Sequence, residues 1–139
     1  MITAMNLMDV LNVSMRWLHI SSMTVLVGGM LFLWIGFSEG DGPVSARAAK
    51  AYRPLFFAAS ALVVISGLYN FMYKMHTVVL TPAYHAVIGI KFLLVAHVLV
   101  AGFLATRASS PKRRRQAAGA AIAGFVILML SAVLRKLSM

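Results

Sequence analysis

The chain has 139 residues, of which 61% are hydrophobic and 12% charged, with a formal net charge of +10. A soluble domain is nearer 45–50% apolar and about 25% charged, so this composition indicates a protein whose solvent is mostly lipid. Because the cations flank apolar runs, they predict contact with anionic lipid head groups and exclude nucleic acid as a partner. The absence of cysteine excludes disulfides, cysteine-ligated zinc, iron–sulfur clusters and covalently attached c-type haem.

Four apolar segments predict four transmembrane helices, at about residues 13–37, 54–75, 83–106 and 116–135. Each contains close to the ~20 apolar residues that cross the hydrocarbon of a bilayer. The connections between them are short, so consecutive helices must run antiparallel. The sequence therefore predicts an all-α integral membrane protein, built as one domain, an antiparallel bundle of four transmembrane helices.

The distribution of cations predicts the orientation of the bundle. The first and third connections with their edges carry eight cations: Arg47, Lys50, Arg53, Arg107, Lys112, Arg113, Arg114 and Arg115. The opposite side carries four: Arg16, Lys74, Arg135 and Lys136. By the positive-inside rule, we expect a multi-pass protein of the cell inner (plasma) membrane with both termini outside. The run 112–115 is interpreted as a topology signal.

Small residues on the first and fourth helices predict close packing inside the bundle. Glycine has no side chain and alanine only a methyl group, so helix backbones can approach each other closely at these residues in lipid. The candidates are Gly28, Gly29, Gly36, Ala117, Ala120, Ala121 and Gly124.

Ionisable side chains inside membrane helices are candidates for function, because each costs about 2.5–3.5 kcal/mol to insert. Four such residues are Arg16, His19, Lys91 and His97. His19 lies on a methionine-rich face of the first helix, where lipid provides no water to hydrogen-bond with it. It therefore needs a metal, a haem iron or a hydrogen bond from the bundle. Lys91 would pair with an anion such as a haem propionate, or with a backbone carbonyl.

Helix rise predicts which of these residues share a depth. At 1.5 Å per residue, His19 lies roughly 9 Å and Lys91 roughly 10 Å below the outer surface, whereas His97 lies roughly 20 Å deep. His85 lies within roughly 3 Å of that surface. His19 and Lys91 are therefore expected in one layer of the membrane. The choice of a second haem ligand stays open between His97 and His85.

A second candidate site consists of Met72, Met75 and His76 at the end of the second helix. Thioether and imidazole ligands without thiolates are typical of copper sites, and thioethers favour Cu(I). Methionines at helical spacing also serve as ordinary packing residues.

Several short motifs resemble those of HemJ-type and CopD-type membrane proteins. They are Trp17-Leu18-His19, Gly28-Gly29, Gly67-Leu68-Tyr69 and Ile90-Lys91-Phe92-Leu93-Leu94. The resemblance to HemJ-type proteins implies a bound haem b, a role in protoporphyrinogen oxidation, His19 as an axial ligand and Lys91 as a charge partner of the tetrapyrrole. The resemblance to CopD-type proteins implies copper handling. HemJ-type chains carry a further histidine well after the lysine, where this chain has Ala101-Gly102.

The sequence thus favours a membrane-embedded b-type haem protein with a redox role, whose cofactor candidates are His19, Lys91, His97, His85 and Arg16. The first alternative is a CopD-like copper-binding or transport protein. The second is a non-catalytic accessory subunit of a larger membrane complex. Other membrane subunits or a second copy of the chain are possible partners besides the bilayer.

Overall fold

A computed structural model describes residues 4–37, 42–77, 79, 81–107 and 112–137. The described residues form four helices: α1 (Leu7–Ile35), α2 (Pro43–Thr77), α3 (Pro82–Ala105) and α4 (Arg113–Leu137). Each helix is long and apolar enough to cross a membrane. The all-α bundle of four transmembrane helices expected from the sequence is confirmed.

All four helices begin before the starts that their apolar runs predict, and α1 and α2 do so by six residues or more. Helix α1 begins six residues before position 13, because Asn6 and Asp9 form a capping box: the Asn6 side chain accepts from Asp9 N at 2.8 Å, and the Asp9 carboxylate accepts from Asn6 N at 3.2 Å. Helix α2 begins at Pro43 and not at position 54, and Pro54 lies inside it. Proline suits the first turn of a helix, since its missing N–H is not needed there.

The helices pack in the order α2–α1–α4–α3. Helix α1 contacts both α2 and α4, and α4 also contacts α3, whereas α2 and α3 contact each other only sparsely. The two ends of the bundle hold different helix ends. We call the end that holds Leu7, Thr77, Pro82 and Leu137 the termini end, and the end that holds Ile35, Pro43, Ala105 and Arg113 the loop end.

Small residues allow the close contacts that the sequence predicts between α1, α2 and α4. Gly29 lies against the ring of Tyr52, whose hydroxyl donates to the Val25 carbonyl at 2.9 Å. Gly124 lies against Val27, and Ala117, Ala120 and Ala121 are fully buried. By contrast, Gly28 faces open space. The packing role is confirmed for α4 and for Gly29, but not for Gly28.

Arginines of α4 close the loop end of the bundle. Arg113 is 1% exposed, and its Nε donates to the Ala105 carbonyl at 2.8 Å. The same guanidinium donates to the Arg107 carbonyl through Nη2. Arg114 Nε donates to the Trp34 carbonyl at 3.1 Å. These bonds satisfy carbonyl groups at the ends of α3 and α1 that have no partner within the helix, so part of the run 112–115 is structural as well as a topology signal.

Candidate functional site

The described residues line a partly open cavity of about 530 Å³ in the half of the bundle toward the termini end. All four helices contribute side chains to its lining, and α2 and α3 contribute most of them. The cavity therefore occupies the space that the sparse contact between α2 and α3 leaves. On that side an edge-to-face pair links the two helices, with the ring centroids of Phe71 and Phe92 5.4 Å apart.

His19 lines this cavity and is held by a hydrogen bond across the α1–α2 interface. Its Nδ1 lies 3.1 Å from Ser66 Oγ. The Ser66 hydroxyl has one hydrogen, and it donates that hydrogen within α2, to the Leu62 carbonyl at 2.5 Å or to the Val63 carbonyl at 3.3 Å. When Ser66 donates to one of these carbonyls, its Oγ accepts from His19, and the imidazole proton is then on Nδ1 and the ring lone pair on Nε2.

This tautomer is the one that a metal-binding histidine uses when it coordinates through Nε2. A ligating histidine almost always donates its other ring N–H to a hydrogen-bond acceptor, which fixes the tautomer and the orientation of the ring. Ser66 supplies that acceptor here. The position of Gly67 contributes as well, because a Cβ at this position would lie 3.2 Å from His19 Cε1. The absence of a side chain at position 67 thus leaves the space that the imidazole ring occupies.

Four cations from the four helices also line the cavity: Arg16, Lys74, Lys91 and Arg135. Lys74 is within electrostatic range of Arg16 and Arg135, and Lys91 is within range of Lys74 and His19. The described lining contains no carboxylate side chain. Asp9, the one acidic residue among the described residues, lies in the first turn of α1. The electrostatic field of this cavity therefore favours a ligand with anionic groups.

The structure brings together three of the five residues that the sequence offered as haem-site candidates. His19, Lys91 and Arg16 line one cavity, and the shared layer expected for His19 and Lys91 agrees with this placement. His97 lies outside the lining, exposed, with its Nε2 beside Gly119 of α4. His85 is exposed too, and its ring packs against Tyr84 at a centroid distance of 6.1 Å. Neither histidine contributes to the cavity, and a second haem ligand stays unassigned.

The copper candidates Met72, Met75 and His76 lie in the last turns of α2, and all three are exposed. Their spacing of three and four residues places them on one face of the helix. They do not line the cavity. In the described part of the chain, no three histidine or acidic side chains lie close enough to hold a metal ion together.

Sequence reasoning missed Ser66 and assigned Lys74 and Arg135 only to the orientation of the bundle. Asn70 and Ser131 also line the cavity and had no assigned role. A serine in an apolar helix is a weak signal, because its hydroxyl can always bond to a carbonyl of its own helix. That Ser66 faces His19 becomes evident only from the way in which α2 packs against α1 in the structure.

Comparisons with protein-family models, with curated proteins and with solved structures find no match for this chain. The chemistry of the site must therefore be argued from its own residues. They form a cavity with mostly apolar walls, one imidazole that is hydrogen-bonded to Ser66 and a set of converging cations.

Proposed function

We propose that this chain is a membrane-embedded b-type haem protein with a redox role, in which His19 binds the haem iron through Nε2. The observation that carries the proposal is the hydrogen bond between His19 Nδ1 and Ser66 Oγ at 3.1 Å. This bond holds the imidazole at the wall of the cavity inside an apolar bundle, and with Ser66 Oγ as the acceptor the lone pair that would bind iron is on Nε2.

The remaining features of the cavity fit a haem-type tetrapyrrole. Pockets for cofactors are usually about 300–1,000 Å³ in volume, with mostly apolar walls and a few placed polar groups, and this cavity of about 530 Å³ falls in that range. Lys91, in the same cavity as His19, supplies positive charge for a tetrapyrrole carboxylate. When bound, haem would supply the electron-transfer chemistry, while the bundle supplies the ligand, the orientation and the low dielectric.

We also propose that the protein lies in the cell inner (plasma) membrane with the termini end outside. The support is the count of eight cations at the loop end against four at the termini end. A reporter domain that is active on only one side of the membrane, fused after Met139, tests this orientation. Activity in the cytoplasm alone would reverse it.

The visible spectrum of the purified protein, as isolated and after reduction with dithionite, tests the haem proposal. Wild-type protein from haem-replete cells should show a Soret band, and His19→Ala should remove or grossly alter it. Lys91→Met should lower the haem content without abolishing ligation. His97→Ala and His85→Ala serve as matched controls, because both histidines lie outside the cavity lining, and we expect their spectra to match the wild type.

Two results would contradict the proposal. One is wild-type protein without a Soret band, and the other is a His19→Ala variant whose Soret band is unaltered. The accessory-subunit hypothesis would then be the better account of a bundle with such short connections.

A further inference from the structure

A second intramembrane histidine, His97 of α3, lies outside the cavity and is exposed on the surface of the bundle. It precedes Ala105, the last residue of α3, by eight positions, which is roughly 12 Å of helix. The 24 residues of α3 span roughly 36 Å, and the hydrocarbon of a bilayer is about 30 Å thick. With the helix centred in the hydrocarbon, the imidazole lies roughly 9 Å inside it.

The polar groups of this imidazole are unsatisfied within the chain. Among the residues that the structure describes, none forms a hydrogen bond with the His97 ring. Its Nε2 lies beside Gly119 of α4, which has no side chain to cover it. A neutral imidazole carries one N–H donor and one lone pair, and hydrocarbon satisfies neither of them. A polar group from outside the chain is therefore needed on this face of α3.

His97 belongs to an exposed stripe on one side of α3. The stripe residues are spaced by three, four and three positions, which places them on the same face of the helix. Its apolar members are 52% (Ile90), 74% (Leu93) and 61% (Val100) exposed, and we call Ile90, Leu93, His97 and Val100 the α3 stripe. Alternation of three and four is the spacing of the seam between two paired helices, and a single polar residue in such a seam sets the register and the number of helices.

A second copy of the chain is the partner that matches the position of His97. Two copies inserted in one membrane share the same orientation, so a twofold axis between them runs along the membrane normal. Their α3 helices are then parallel, and each residue of the stripe meets its own counterpart at the same depth. An imidazole is both a donor and an acceptor, so one ring can donate its N–H to the lone pair of the other.

We propose that the α3 stripe is the interface of a homodimer, in which His97 is hydrogen-bonded to His97 of the partner subunit. The apolar members of the stripe pack above and below this pair, and the pair fixes the register of the two helices. The stripe shares no residue with the lining of the cavity. Dimer formation therefore does not depend on haem.

Cysteine cross-linking in membranes of expressing cells tests the interface, because the chain contains no cysteine of its own. Val100→Cys, oxidised with copper phenanthroline, should give a disulfide-linked dimer. The matched control is Ile65→Cys on α2, since Ile65 is 59% exposed, close to the 61% of Val100, but lies outside the stripe. The control should remain monomeric under the same oxidation.

Energy transfer between labelled copies in phosphatidylcholine vesicles tests the role of the histidine. His97→Leu removes both polar groups, and the dissociation constant of the dimer should rise roughly three- to thirtyfold, as for loss of a hydrogen bond between membrane helices. His97→Asn should restore most of the affinity, because the carboxamide is again a donor and an acceptor. His85→Leu is the control: His85 is also exposed on α3 but lies outside the stripe, and its removal should leave the dissociation constant unchanged.

Three outcomes would overturn the proposal. Wild-type protein could stay monomeric as the protein-to-lipid ratio rises, or His97→Leu could associate as tightly as the wild type. Equal cross-linking of Val100→Cys and Ile65→Cys would show random collision in the membrane. The Val100→Cys experiment keeps His97 in place, so it tests the interface even if His97→Leu does not fold. Neither experiment requires bound haem, so failure of the haem proposal would leave their results interpretable.

Discussion

Gly67 of α2 lies so close to the imidazole of His19 on α1 that a methyl group at position 67 would stand 3.2 Å from Cε1 of the ring. That distance is short for two carbon atoms, so an alanine there would push the ring aside by a few tenths of an ångström. Because Nδ1 of the same ring is hydrogen-bonded to Ser66 Oγ, displacement of the ring would also stretch that bond.

Gly67→Ala should therefore alter the haem site without unfolding the bundle. We expect a shifted Soret band and a lower haem content, since the imidazole loses its aligned position. Gly89→Ala is the matched control, because Gly89 is also within a helix but has open space where the Cβ would be. Both changes raise helix propensity by up to about 1 kcal/mol, so a spectral change shared by both variants would exclude the steric explanation. The measurement is the visible spectrum together with thermal unfolding.

Ser66→Ala should weaken haem binding by removing the hydrogen-bond acceptor of His19. Loss of such a partner behind a metal ligand typically lowers affinity about 10–100-fold. Ser22→Ala is the control: Ser22 is also buried and donates to a carbonyl four residues earlier, that of Leu18 at 2.7 Å. Haem titration of both variants measures the difference. Equal affinities in the two would mean that the Ser66 bond does not orient the ligand.

Arg113→Met should destabilise the bundle at its loop end. The change leaves the Ala105 and Arg107 carbonyls without their donor, and hydrogen bonds to charged groups contribute about 1.5–3 kcal/mol each. We expect the free energy of unfolding to fall by roughly 2 kcal/mol or more. Arg115→Met removes the same charge from an exposed position on α4 and should change stability little. Detergent-based unfolding curves give both values, and similar losses would contradict a capping role for Arg113.

The copper alternative rests on the exposed face formed by Met72, Met75 and His76. Their joint replacement, Met72→Leu/Met75→Leu/His76→Gln, should abolish Cu(I) binding by purified protein if this face is the site. The haem spectrum should be unchanged, because none of the three lines the cavity. Competition with a chromophoric Cu(I) chelator provides the measurement, and unchanged Cu(I) affinity in the triple variant would remove the alternative.

Sequence patterns predicted the number and type of helices well because lipid imposes a strict demand on each span. An apolar run reports the part of a helix that lies in hydrocarbon, but it does not report polar extensions beyond that part. Helix α2 shows the difference: the run begins at Pro54, whereas the helix begins at Pro43. The residues between are mostly alanines and cations, which form helix readily in the head-group region.

The site was only partly predictable for a related reason. His19 and Lys91 are costly in lipid, so their presence alone marked them as candidates. Ser66 bears no such mark, because its hydroxyl can bond within its own helix. Lys74 and Arg135 lie near helix ends, where cations are common, and their convergence depends on the packing order α2–α1–α4–α3.

That packing order makes the described bundle two helical hairpins that are joined mainly along the interface between α1 and α4. The seam between α2 and α3 carries little protein contact of its own apart from aromatic pairs such as Phe71 with Phe92. A molecule bound in the cavity would contact both α2 and α3 and so bridge the two hairpins. Its binding free energy then adds to the free energy of unfolding of the bundle. Removal of the bound molecule should therefore weaken the association of the two hairpins.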